Sequence, residues 1–238
     1  MRRNLIAASA TGVAVIALIG AGAYAYFFSG LRTSPSSLGL SATPTATSTA
    51  SSSSTSLAGT WSVSTGSIAG YRVQELFAGE TSKHAAVART SNVTGSLTVS
   101  GDSAGYQVSG ITLTADLSSL HSVDQVVGRN VTQRDGIVSR QLNVQQFPNA
   151  TFTATSASVP GPITGPPVDV RADGKLTIRG VTRDITATAK AQVVGERIEI
   201  AGTMTINMTD YGVTPPQVPF TAVDSTVTIE FDVFLTRT

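Results

Sequence analysis

The chain has 238 residues, with 16 Lys plus Arg against 15 Asp plus Glu, and lacks the dense basic face that nucleic-acid phosphates demand. It has no cysteine and two histidines, His84 and His121, which excludes disulfides, thiol nucleophiles, cysteine-built zinc sites and a lipidated cysteine. No Asp-x-Asp-x-Asp-Gly loop occurs, so neither a metal nor a cofactor is expected.

The run from Leu5 to Phe28 carries no charge and follows Arg2 and Arg3. As a helix it reaches about 36 Å at 1.5 Å per residue, enough for a bilayer core. This predicts a single-pass transmembrane anchor over residues 1–28, with the rest of the chain outside the cytoplasm. The rival reading is a signal peptide cleaved after Ala23-Tyr24-Ala25, which makes the protein secreted. The cluster Tyr24, Tyr26, Phe27 and Phe28 favours the anchor, as an interfacial belt closing a span. Residues 29–58 are mostly Ser, Thr, Pro and Ala, with no apolar period, and predict a disordered, mobile tether. Arg2, Arg3 and Arg32 are the only charges before residue 59, so residues 59–238 carry 13 cations against 15 acids.

From Gly59 onward, alternating Val, Ile and Thr predict strands over Thr60–Thr65, Tyr71–Phe77, Ala85–Ser100, Tyr106–Asp116 and Ala150–Val159. More follow over Val168–Ile178, Val181–Val194, Glu196–Asn207 and Val223–Thr236. Between them lie Gly101-Asp102, Gly161-Pro162, Gly165-Pro166-Pro167, Gly195 and Pro215-Pro216, connections too short for crossover helices. The expected fold is all-β, an antiparallel barrel of about eight strands large enough to hold a ligand. One long excursion, Ser118 to Gln146, breaks the alternation and predicts a short helix within Val138–Gln146.

The stretch Gly174-Lys-Leu-Thr-Ile-Arg-Gly-Val-Thr-Arg-Asp-Ile185 reads as one sharp hairpin, with Arg179-Gly180 at a turn that needs positive φ. It resembles the "LTI-x-GVT" hairpin of the YceI-like family of β-barrel lipid-binding proteins. Gly59-Thr60-Trp61, Ala69-Gly70-Tyr71-Arg72-Val73, Gly95-Ser96-Leu97-Thr98-Val99, Arg134-Asp135, Phe147-Pro148-Asn149-Ala150-Thr151-Phe152 and Asp210-Tyr211-Gly212-Val213 fit the same family in order. The branch they resemble is the membrane-tethered, actinobacterial-type one, and the YceI-like domain would span 59–238. The resemblance implies a lipocalin-like barrel around an apolar cavity, and an isoprenoid lipid partner such as a polyprenyl phosphate or a quinone. One departure stands out: Arg134-Asp135 leads to Gly136-Ile137-Val138, where the family pattern has one residue and then His-Leu.

Alternation places Val73, Leu97, Val99, Ile111, Leu113, Phe152, Leu176 and Ile178 as apolar lining, or as the packed core of a filled barrel. Arg129, Arg134 and Arg140 in the excursion are candidate head-group ligands, because guanidinium pairs bidentately with phosphate; Asp135 would orient or neutralise Arg134. The alternative is a solvated surface loop. Gly101-Asp102-Ser103-Ala104-Gly105 fits a nucleophile elbow, but that motif works only on a strand-to-helix turn, and here it joins two strands. Glu196 and Glu199 read as solvated. No catalytic residue and no enzyme activity is expected. The competing function is a scaffolding or adhesion module acting through the barrel surface.

Overall fold

The structure is a computed structural model and describes residues 18, 32–41, 56–102, 104–126, 128–160, 165–218 and 221–238. Its strands are β1 (Arg32–Thr33), β2 (Gly59–Val63), β3 (Ile68–Phe77), β4 (His84–Thr90), β5 (Val93–Asp102), β6 (Gly105–Asp116), β7 (His121–Ser122) and β8 (Gln125–Val126). After helix α1 (Gln133–Leu142) come β9 (Asn149–Pro160), β10 (Val168–Ile178), β11 (Val181–Val194), β12 (Arg197–Asn207), β13 (Gln217–Val218) and β14 (Thr221–Arg237). The predicted anchor over 1–28 lies outside the described residues, apart from Leu18. Among the described residues no helix is long and apolar enough to cross a membrane.

Antiparallel pairing closes β14-β2-β5-β6-β9-β10-β11-β12 into an eight-stranded barrel, because β12 returns to pair with β14. The long β14 serves two neighbours on its other edge: β3 along Thr221–Asp232 and β2 along Leu235–Arg237. Strands β3, β4 and β7 thus extend the wall beyond the ring, and the excursion with α1 lies beside them. Alternation decides which side is buried. Val227, Phe231, Val233 and Leu235 of β14 face the core, while Glu230 and Asp232 face outward.

Several boundaries follow the sequence to the residue, including Val168–Ile178 and Val181–Val194. Their turn has Arg179 at φ 54° and Gly180 at φ 74°, a conformation matched to the right-handed twist of the strands. A Cβ on Gly180 would lie 2.7 Å from the Phe147 ring, and Arg179 Nη1 donates to the Gly212 carbonyl. The hairpin, the Phe147-Pro148 entry and the Tyr211-Gly212 turn therefore meet at one end of the barrel.

Three expectations are corrected. The predicted strand Ala85–Ser100 is two strands, β4 and β5, parted by a turn at Ser91-Asn92 that contains neither Gly nor Pro. The helix begins at Gln133 instead of Val138, because Asn130 Oδ1 accepts from the Thr132 N–H and hydroxyl and starts the first turn; it ends at Asn143 in the left-handed region. The third concerns the tether. Residues 32–41 are docked on the barrel: β1 pairs with β8, and the following residues cross the outer faces of β4, β3, β14, β12 and β11.

Candidate functional site

Two chambers lie one above the other inside the strands. The smaller, about 120 Å³, is walled by inward residues such as Leu97, Val108 and Met204. The larger, about 760 Å³, lies further along β10, β12 and β14, where Ile178, Ile206 and Val227 line it, and is extended by Val73 of β3. Helix α1 contributes Ile137 and Val138 to its wall. This volume falls within the roughly 300–1,000 Å³ typical of ligand pockets.

Seven of the eight apolar positions expected inside line one of these chambers. Val73 and Ile178 line the larger one, and Leu97, Val99, Ile111, Leu113 and Phe152 line the smaller. Leu176 borders neither and is packed in the core.

The larger chamber has a polar corner. Glu75 occupies an inward position on β3, on the same face as Val73 and Phe77, and pairs across the sheet with His84 of β4. Asp124 follows β7. Arg134, from the first turns of α1, joins them: Nη1 donates to Asp124 Oδ1 and Nη2 to Glu75 Oε1, both at 2.7 Å. His84 Nε2 lies 2.7 Å from Asp124 Oδ2, and the Val87 N–H donates to Asp124 Oδ1 at 3.0 Å. Glu75, His84 and Asp124 are all buried.

The electrostatics of this corner are set by competition between burial and partners. Burial opposes ionisation of Asp124, but hydrogen bonds from His84, Arg134 and Val87 overcome it and hold the carboxyl below its ordinary range. For Glu75 burial wins over the attraction of Arg134, and its pKa is raised. Burial also works against the charge on Arg134, yet the hydrogen bond to Asp124 and the nearby Glu75 raise its pKa further. The phenol of Tyr71, beside this group, is pushed up by burial. Glu75, His84 and Asp124 offer ligand atoms within 4.8 Å of one another, a spacing a metal could use. Here the guanidinium of Arg134 bridges the two carboxylates and itself supplies the cation, so the group reads as an ion-pair network.

The three candidate head-group arginines diverge. Arg129 lines the larger chamber, its guanidinium 4.1 Å from the centre of the Phe77 ring. Arg134 is committed to Asp124 and Glu75. Arg140 is exposed on α1 and does not join the site. Asp135 does not pair with Arg134 as expected; it accepts from the Ser122 N–H and hydroxyl at 2.9 and 2.6 Å.

Sequence reasoning missed Glu75, His84, Asp124 and Tyr211. Glu75 left a signal, an acid on an otherwise apolar strand face; Asp124 left none. Tyr211 is buried on the larger chamber's wall, and its hydroxyl has no hydrogen-bond partner among the described residues. Glu199, expected in solvent, is fully buried beneath residues 32–41, which corrects that reading. The elbow-like segment forms the β5–β6 hairpin, with Asp102 opposite Gly105; Ser103 lies outside the described residues.

Several known proteins are similar to this chain. A model of the YceI-like domain matches residues 40–235. A UPF0312 protein of Pseudomonas putida strain F1 is 31% identical over 137 residues, which are 54% of this chain and 65% of that protein. A polyisoprenoid binding domain from Saccharophagus degradans, implicated in plant cell wall breakdown, superposes with TM-score 0.47 and 16% identity, over 75% of this chain and 98% of that one. Burkholderia cenocepacia BcnA gives TM-score 0.47 and 16% identity, over 69% and 95%. With its family model covering most of the sequence and its strands closed into a barrel, the chain belongs to the YceI-like family.

Proposed function

We propose that the protein is a membrane-tethered, extracytoplasmic binding protein for an isoprenoid lipid, held with its tail in the larger chamber and an uncharged head at the polar corner. The observation that carries this reading is the chamber itself, about 760 Å³ walled mainly by aliphatic side chains, with hydrogen-bonding groups gathered at one place. An apolar tail gains roughly 25 cal/mol for each Å² withdrawn from water, so several isoprene units support binding with few polar contacts. The unpartnered Tyr211 hydroxyl supports the same reading, since a buried hydroxyl without a partner costs free energy that a ligand atom can recover.

The head group is argued from charge. A phosphate at Arg134 would have to displace Asp124 or Glu75, and would lie beside carboxylates that repel it. Arg129, on the Phe77 ring, remains to donate to an acceptor of either kind. The carboxylates around Arg134 thus carry the preference for a quinone or polyprenol over a polyprenyl phosphate. Tethering to the membrane rests on the uncharged sequence Leu5–Phe28 behind Arg2 and Arg3.

The test is a calorimetric titration of the full chain, in mild detergent, with a long-chain benzoquinone and a polyprenyl phosphate of equal tail length. The expected result is saturable one-to-one binding of the quinone, at least tenfold tighter than the phosphate. Tighter binding of the phosphate would reverse the head-group assignment. Failure of both to bind would favour action through the barrel's outer surface.

A further inference from the structure

Residues 33–41 run across the outside of the barrel as a strap, held chiefly through their backbone. Arg72 Nη2 donates to the Pro35 carbonyl at 2.7 Å, and Arg89 Nη2 to the Ser36 carbonyl. The Leu38 N–H reaches Glu230 Oε2 at 3.4 Å, and the Ser41 N–H donates to Glu199 Oε1 at 2.7 Å. Gln192 Nε2 donates to the Ser41 carbonyl at 3.1 Å. Glu199 and Glu230 are almost wholly buried although they stand on the outer face of the sheet. Two buried carboxylates offered to backbone N–H groups, and two arginines offered to backbone carbonyls, make a groove built for an extended segment.

The strap begins beside the larger chamber. Arg32 pairs with Val126, and the Val126 carbonyl accepts the Arg129 N–H at 3.1 Å. Gly128, Arg129 and Val131 then line the chamber. In the sequence, the apolar run ends at Phe28, four residues before Arg32. Four residues span at most about 14 Å, whereas 31 residues of free tether from Phe28 to Gly59 would span about 100 Å. Docking the strap therefore shortens the tether and fixes which end of the barrel it leaves.

The same end carries suitable surface chemistry. Ile137 is an exposed large hydrophobe on α1, and Arg140 is exposed three residues on, so both stand on one helix face. An apolar side chain beside a cation suits the boundary between acyl chains and anionic head groups.

We propose that the strap holds the larger-chamber end of the barrel against the bilayer, with the rim of α1 as the membrane-contacting surface. The proposal rests on the tethering reading above. It gives the lipid a route between bilayer and chamber that does not cross bulk water.

The absence of cysteine makes the test clean. Single cysteines introduced as Ser139→Cys on α1 and Glu196→Cys at the β11–β12 turn, toward the opposite end, carry a fluorophore. The full chain is reconstituted in phosphatidylcholine–phosphatidylglycerol vesicles containing a nitroxide on the lipid head group. The expected result is at least threefold stronger quenching at position 139 than at 196. Leu38→Pro with Ser41→Pro removes the strap N–H donors to Glu230 and Glu199, leaves the barrel side chains intact, and should bring that ratio close to one. If that chain folds poorly, Glu199→Ala, which removes the acceptor of the Ser41 N–H, should lower the ratio in the same direction. Equal quenching at the two sites in the intact chain, or a ratio unchanged in these variants, would overturn the proposal. A chain that fails to float with the vesicles would overturn the tethering reading, and the orientation with it.

Discussion

The Ser41 backbone N–H donates to Glu199 Oε1 at 2.7 Å, joining positions 158 residues apart. Glu199 also accepts from Gln192 at 2.6 Å, so the strap segment and the barrel together satisfy a carboxylate that neither leaves open to water. Glu199→Ala should weaken docking by about 1.5–3 kcal/mol, the usual worth of a hydrogen bond to a charged group. Limited proteolysis would show it as faster cleavage within residues 33–41, with the barrel still resistant. Unchanged cleavage would mean that the other contacts, at Arg72, Arg89, Glu230 and Gln192, suffice to hold the segment.

Arg134 is predicted to be a structural cation first. Arg134→Met leaves Asp124 and Glu75 buried without their counter-charge, and should cost about 3–5 kcal/mol in urea unfolding. Arg140→Ala, on the exposed face of α1, should stay within about 0.5 kcal/mol of the parent. Similar losses for both would contradict the ion-pair network.

Filling the larger chamber should separate binding from stability. Val73→Phe projects a ring into it, and the cavity has room, so the overpacking cost of about 1–3 kcal/mol seen in tight cores should be largely avoided. Co-purifying lipid, measured by mass spectrometry of an organic extract, should fall several-fold. Leu176→Ala should do the reverse. It removes packed core and costs about 2–5 kcal/mol, with the lipid profile of the folded protein retained.

The pH dependence has two limbs of opposite sign. Asp124 is held below its ordinary value, so the folded state binds fewer protons there; that stability is present above about pH 4 and is lost as pH falls below it. Asp232, on the outer face of β14, is pushed up to about 6 by burial and by the charge of Glu199. Its protonation favours the folded state at low pH, and this contribution is lost as pH rises from about 4 through 6. Asp232→Asn should therefore flatten the decline between pH 5 and 7.5 in thermal melts, while Asp124→Asn should remove the acid limb. A pH 5 to 7.5 profile identical in Asp232→Asn and the parent would show that Asp232 titrates normally.

How far the sequence reached can be seen strand by strand. Val168–Ile178 and Val181–Val194 were legible because their alternation and the Arg179-Gly180 turn are local. The break at Ser91-Asn92 went unread because it contains neither Gly nor Pro and apolar alternation resumes directly after it, although Ser and Asn are themselves common turn residues. Glu75 could have been noticed as an acid between Val73 and Phe77. Its partners could not, since His84, Asp124 and Arg134 come from separate parts of the chain.

Sequence alone determined the barrel class, the alternation of inside and outside along strands such as β10 and β11, and the hairpin that joins them, because pleating and short turns act over a few residues. Tertiary structure decided the rest. It neutralised Arg134, buried Glu199 and set Arg129 on Phe77, each by contacts between distant positions. It also docked a Ser/Thr/Pro segment that has no apolar pattern. That docking uses the backbone N–H and carbonyl groups that nearly every residue carries, so its sequence holds no mark of it until the barrel supplies the matching side chains.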